Sequence, residues 1–154
     1  MSKLNSKASV GCLVRCGDAL VVVYEQQDDR GAWDIPAGGI EANETPLQAI
    51  TRELQEEIGL ELKSVDQSIR LLDVFWATIA GTLTVHFLYE VTISQAQADA
   101  LKPHTSDIEK VALFSRQEVQ DVLDTKAYEH ELAKERLLFF LSEAAKPTKS
   151  IHIV

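Results

Sequence analysis

The sequence predicts an α+β or α/β sandwich, with a mixed β-sheet packed between helices. Three observations carry this expectation. Apolar, β-branched stretches and helical patterns follow one another in the order strands, helix, strands, helices. One stretch, Thr45–Gly59, holds a full set of helix start and stop signals. The 154 residues, 45% apolar with seven glycines and four prolines, suit a single domain over 1–154 around one core.

Ala8–Arg15 and Ala19–Tyr24 read as two strands, joined at the turn Cys16-Gly17-Asp18. Gln26–Gly31 is polar and reads as a loop. Trp33-Asp34-Ile35 is a short strand-like piece ended by Pro36, and Ala37-Gly38-Gly39 reads as a loop able to approach a ligand closely. In the helix that follows, Thr45 is the N-cap and Pro46 stands at N1. Gln48 completes a capping box, and Gly59 supplies the stop. Leu47, Ile50, Leu54 and Ile58 form its apolar stripe.

Strands are expected at Ile69–Ala77 and Thr82–Ile93, with a hairpin at Ala80-Gly81, and a loop over Gln95–Ser106. Val111–Phe114 is a further strand. Ser115 and Glu118 form a second capping box and open a helix to about Leu123. A last helix spans about 126–145, with Leu132, Leu137, Leu138 and Leu141 as core candidates; the tail after Pro147 gives no assignment.

No apolar run approaches the roughly 18 residues a membrane span needs, so no membrane partner is expected. The first residues lack the apolar core of a secretory signal, which points to the cytoplasm. Cys12 and Cys16 share one strand, which holds them too far apart to bridge; they read as reduced thiols. Net charge is −9 with no Lys/Arg cluster, which argues against a nucleic-acid partner. An anionic substrate would then need a cation to mediate its binding.

The helix supplies the means. Glu53, Glu56 and Glu57 stand at i, i+3 and i+4, so three carboxylates share one face. Like charges at that spacing repel, and Arg52 offsets part of the repulsion through its i+4 neighbour Glu56. Clustered hard oxygen ligands are what Mg²⁺ prefers. A solvated acidic surface gives the same spacing.

The surrounding residues decide between these. Gly38, five residues, Glu44, seven residues, then Arg52-Glu53-Leu54-Gln55-Glu56-Glu57-Ile58-Gly59-Leu60 resembles the Nudix box of the MutT-like hydrolases, with every defined position filled. The lead-in Trp33-Asp-Ile-Pro36-Ala-Gly-Gly is similar to that family's as well.

The resemblance implies an α/β/α sandwich and a Mg²⁺-dependent hydrolase, Mn²⁺ being an alternative ion. It implies that Glu53, Glu56 and Glu57 bind or orient the metals and that Arg52 holds a glutamate by an ion pair. Glu44 would support the helix entrance, and Gly38 and Gly39 would let the loop come close to metal and substrate. Glu53 is the first choice for the base that takes a proton from water. A loop residue, Asp107 or Glu109, is the other source of a base or further ligand. His104 and Trp33 would contact substrate, with Phe75, Trp76, His86 and Tyr89 as further stacking candidates.

Trp33-x-x-Pro36-Ala-Gly, Glu41-Ala-x-Glu44-Thr and Pro103-His-x-Ser106-Asp107-Ile108 resemble a NudJ-like bacterial subgroup. Its members are broad phosphatases of nucleoside di- and triphosphates and of a thiamine-precursor pyrophosphate. ADP-ribose or nucleotide-sugar pyrophosphatase activity is the alternative, and a non-catalytic nucleotide-binding module the third. Monomer and homodimer both remain open.

Overall fold

A computed structural model of the protein describes residues 7–27, 30–62, 69–79 and 81–143. Among these residues seven strands form one mixed sheet: β1 (Lys7–Cys16), β2 (Ala19–Gln27), β3 (Arg30–Asp34), β4 (Ala37–Gly39), β5 (Arg70–Ile79), β6 (Thr82–Thr92) and β7 (Ile108–Phe114). The main path runs β3-β2-β1-β6-β5, with β4 added to β1 and β7 to β2. β1 and β6 are parallel, Lys7 opposite Thr84 through to Arg15 opposite Thr92, and the other pairings are antiparallel. Helix α1 (Pro46–Ile58) covers one face. Helices α3 (Arg116–Asp124) and α4 (Glu131–Glu143) cover the other.

Strand alternation divides the apolar residues between the two faces. Val10, Cys12 and Val14 of β1 and Val21 and Val23 of β2 pack under α1. Leu13, Leu20 and Val22 pack under α3 and α4. Both faces are covered, so the strands read as near-continuous apolar runs.

Helix α1 forms as its sequence dictates. The Thr45 hydroxyl accepts from the Gln48 amide, the Gln48 side chain accepts from the Thr45 amide, and Gly59 turns left-handed at φ 69°. Ala49, Ile50, Leu54 and Ile58 are buried. Leu47, in the first turn, is 47% exposed and lies outside the buried stripe, whereas Glu57 lies within it.

Several boundaries differ from expectation. Ala37–Gly39 is a short strand on β1, and Gln26–Gly31 is largely paired strand, Gln27 opposite Arg30. Gln95–Asp99 is a short helix, α2, because Ser94 and Gln97 form a third capping box. The last helix starts at Glu131, five residues late. Lys126 takes a positive φ of 55°, and the chain after it hydrogen-bonds β3, Trp33 N–H to the Ala127 carbonyl and Glu129 N–H to the Trp33 carbonyl. Leu138 is 40% exposed and not core; the inward positions are Leu132, Ala133, Arg136, Leu137 and Phe140. The Ala80 side of the expected hairpin, the helix end at Ala145 and the tail lie outside the described residues. Among the described residues no helix is long and apolar enough to cross a membrane.

Candidate active site

A cavity of about 420 Å³ opens beside α1, lined by Glu25, Glu53, Glu56, Glu57, Thr105, Asp107 and Ile108. The three helix carboxylates therefore converge as their spacing predicts. No Lys or Arg lies among the described lining residues.

Arg52 fixes the rim. Its Nε and Nη2 grip the Glu44 carboxylate at 2.8 and 2.9 Å, and Nη1 reaches Glu53 at 2.8 Å and Glu56 at 3.1 Å. Nη2 also donates to the Gly39 carbonyl at 3.0 Å. The fork-on-carboxylate geometry adds direction as well as strength. The Arg52 hydrogen bond, joined by the Glu41 amide, holds the Glu44 carboxyl down at about 2. Glu44 thus stands behind Arg52 and outside the cavity lining.

Glu57 lies deepest, 8% exposed, with the Ala37 amide 3.4 Å from Oε2. Burial, reinforced by the charge and hydrogen bond of Glu53 and by the charge of Glu25, pushes its carboxyl up to about 10. Gly38 is dictated by contact: a Cβ there would lie 2.1 Å from Glu53 Oε1. Gly39 meets no such contact and serves through its carbonyl.

The segment after α2 is tied to the end of α1, with Lys102 N–H on the Ile58 carbonyl and His104 N–H on the Glu57 carbonyl. This carries Thr105 and Asp107 into the cavity. Glu109 does not line it. Tyr24 pairs with Lys110 and Glu25 with Ile108, so Glu109 is the extra residue of a β-bulge and stays exposed. His104 also stays off the lining; its ring covers Gly59, where a Cβ would meet Nε2 at 2.4 Å.

The aromatic candidates are placed elsewhere. Trp33 packs on Tyr24 and Phe114 at 4.8 and 4.5 Å between ring centres. Phe75 meets His86 edge-on, Tyr89 is buried, and Trp76 is 63% exposed, away from the cavity lining.

Two features escaped the sequence reading. Glu25 continues the inward alternation Val21, Val23, Glu25 of β2, a signal that was available. The second is a buried network in which Arg136 donates to Asp34 Oδ2 at 2.8 Å and to His86 Nε2 at 3.2 Å, with His86 Nδ1 2.7 Å from Ser9 Oγ. Burial and the Arg136 charge hold His86 neutral, down near 2.

Nearby, donor atoms of Asp34, Glu129 and His130 lie within 4.8 Å of one another. They are already engaged: Asp34 by the Ile35 amide and Arg136, His130 Nδ1 by the Ala133 amide at the start of α4. Burial and a hydrogen bond to Glu25 push Glu129 up to about 8.

The site is thus an acidic helix facing a cavity at the edge of a mixed sheet packed between helices. The family model described as NUDIX domain matches residues 5–137. The chain is 42% identical over 82 residues to an RNA pyrophosphohydrolase of Hydrogenovibrio crunogenus, covering 53% of this chain and 50% of that protein. It is 32% identical over 111 residues to phosphatase NudJ of Escherichia coli, covering 72% and 69%. A NUDIX hydrolase structure from Nitrosomonas europaea superposes with a TM-score of 0.72 at 20% identity, over 90% of each chain. The chain belongs to the Nudix family. It spans about half the length, or less, of the RNA pyrophosphohydrolases it matches.

Proposed function

We propose that this protein is a Mg²⁺-dependent hydrolase, Mn²⁺ serving as substitute, of phosphoanhydride bonds in nucleoside di- and triphosphates or small pyrophosphates. The observation that carries this is a cavity walled by five carboxylates with no basic side chain among its described lining residues. Such a wall repels a phosphate unless cations intervene, and its donors are the hard oxygens that Mg²⁺ takes. Hydrolysis of an anhydride is the class that both named sets of relatives suggest. Two free cysteines are consistent with a cytoplasmic setting.

Glu53, Glu56 and Glu57 would hold the ions. A bound divalent ion neutralises phosphate charge and lowers the pKa of an attached water. Glu53, which Arg52 holds by a 2.8 Å hydrogen bond, would take the proton of the attacking water; Asp107 is the other candidate within the cavity. Arg52, itself fixed by Glu44, keeps Glu53 and Glu56 from swinging apart. Gly38 leaves the backbone room to meet Glu53.

The NudJ likeness, across 72% of the chain, supports a small-molecule substrate. The net charge of −9 opposes an RNA body. Phosphate and nucleotide products are to be measured on nucleoside di- and triphosphates, a thiamine-type pyrophosphate, ADP-ribose, a nucleotide sugar and a 5′-triphosphorylated oligoribonucleotide. Turnover of the nucleoside di- and triphosphates and of the thiamine-type pyrophosphate, abolished by EDTA and restored by Mg²⁺, is expected. Nucleoside monophosphate plus sugar phosphate as the main products would move the reading to the ADP-ribose class. Absence of turnover on every compound would refute it.

Gly38→Ala is expected to lower turnover about a hundredfold, the cost of displacing a catalytic group by about 1 Å. Its melting temperature should stay near wild type, since the clash falls on the end of the Glu53 side chain. Unchanged turnover would show that Glu53 tolerates displacement.

A further inference from the structure

We propose that Glu25 on β2, outside the motif segment 38–60, is a further ligand of a divalent cation held jointly with Glu57, directly or through one water. This rests on the metal-dependent reading above and extends it to a second element of the fold.

Three observations converge on Glu25. Val21 and Val23 point beneath α1, and Glu25, next on that face, passes the edge of the core into the cavity that Glu57 enters from the helix. The β7 bulge lies directly opposite. By skipping Glu109 it sets Ile108 beside Glu25, and both line the cavity. Bulges re-aim side chains beside active sites, and without this one Glu109 would take the place opposite Glu25.

The third observation is that neighbouring cations are engaged elsewhere. Arg52 is taken up by Glu44, Glu53, Glu56 and the Gly39 carbonyl. Lys110, paired with Tyr24, lies over the Tyr24 ring at 5.0 Å. Glu25 itself hydrogen-bonds Glu129, a second acid that brings no positive charge. Two carboxylates, one from a strand and one from a helix, line one cavity with no Lys or Arg among its described lining residues, and together they offer hard oxygen donors to a cation.

Mn²⁺ binding to the full chain, read by calorimetry and by the electron paramagnetic resonance of free Mn²⁺, tests the assignment. Glu25→Gln is expected to weaken Mn²⁺ binding at least about tenfold, the scale on which loss of a ligand or its immediate support acts. The metal-free melting temperature should stay level or rise, because an acid beside Glu57 and Glu129 is removed. A merely structural role would lower that temperature and leave Mn²⁺ affinity intact.

Wild-type Mn²⁺ affinity in Glu25→Gln, with affinity lost in Glu57→Gln, would overturn the role of Glu25 alone. Wild-type affinity in both would overturn the metal site itself. Should Glu25→Gln not fold, Glu25→Ala carries the same test, and undiminished Mn²⁺ affinity there again refutes the assignment.

Discussion

Glu57→Gln is expected to lower turnover by about 10³-fold or more, matching the several kcal/mol of transition-state stabilisation that a bound metal supplies. The same substitution should raise the metal-free melting temperature at alkaline pH. Glu57 is 8% exposed and faces Glu53 and Glu25, and these surroundings lift its carboxyl to about 10.

A carboxyl raised on folding keeps more protons in the folded state than in the unfolded chain. Its stabilising contribution is complete below its ordinary value of 4.5 and is lost as pH climbs through about 10. Metal-free wild type should therefore melt at lower temperature at pH 9 than at pH 6. Glu57→Gln should show a shallower decline, with a remnant from Glu129, which is raised to about 8 in the same sense. Calorimetric melts across that range, with and without Mg²⁺, measure both effects. In wild type, Mg²⁺ at a hundred times its dissociation constant should add about 2.7 kcal/mol, and in the variant almost nothing. An equal Mg²⁺ stabilisation in both proteins would remove Glu57 from the ion's surroundings.

Arg136→Met is expected to give the largest loss of stability. The Arg136 and Asp34 side chains are 4% and 5% exposed and meet at 2.8 Å. Removing the guanidinium leaves the Asp34 charge buried with its partner gone, at a cost of about 3–5 kcal/mol. At about 2–4 °C per kcal/mol for a chain of this size, melting should fall by roughly 6–20 °C. The double variant Asp34→Asn/Arg136→Met removes the orphaned charge and should recover part of the loss. A single variant that melts like wild type would show that α4 is held to the sheet by its apolar contacts alone.

Local signals were legible wherever neighbours in sequence decide the structure. The α1 caps at Thr45 and Gly59 and the convergence of Glu53, Glu56 and Glu57 all follow from helical spacing. The Ser94/Gln97 box was equally readable and would have revealed α2. Leu47 was misplaced because periodicity gives a direction around a helix and does not say where the helix leaves the sheet. Trp33 and His104 carried a chemistry that suits substrate contact, yet their rings are used in packing against Phe114 and over Gly59.

By itself, the sequence determined the strand–helix order, the capped acidic helix and the family, because each is written in residues at most a few turns apart. Tertiary structure alone decided which acid of the loop before β7 joins that helix, Asp107 and not Glu109. The bulge at Glu109 leaves that residue outside the cavity and sets Ile108 beside Glu25, and Arg136 reaches Asp34 across 102 positions of sequence. Such choices depend on register between strands and on which side chains meet across a core, and no local period encodes either.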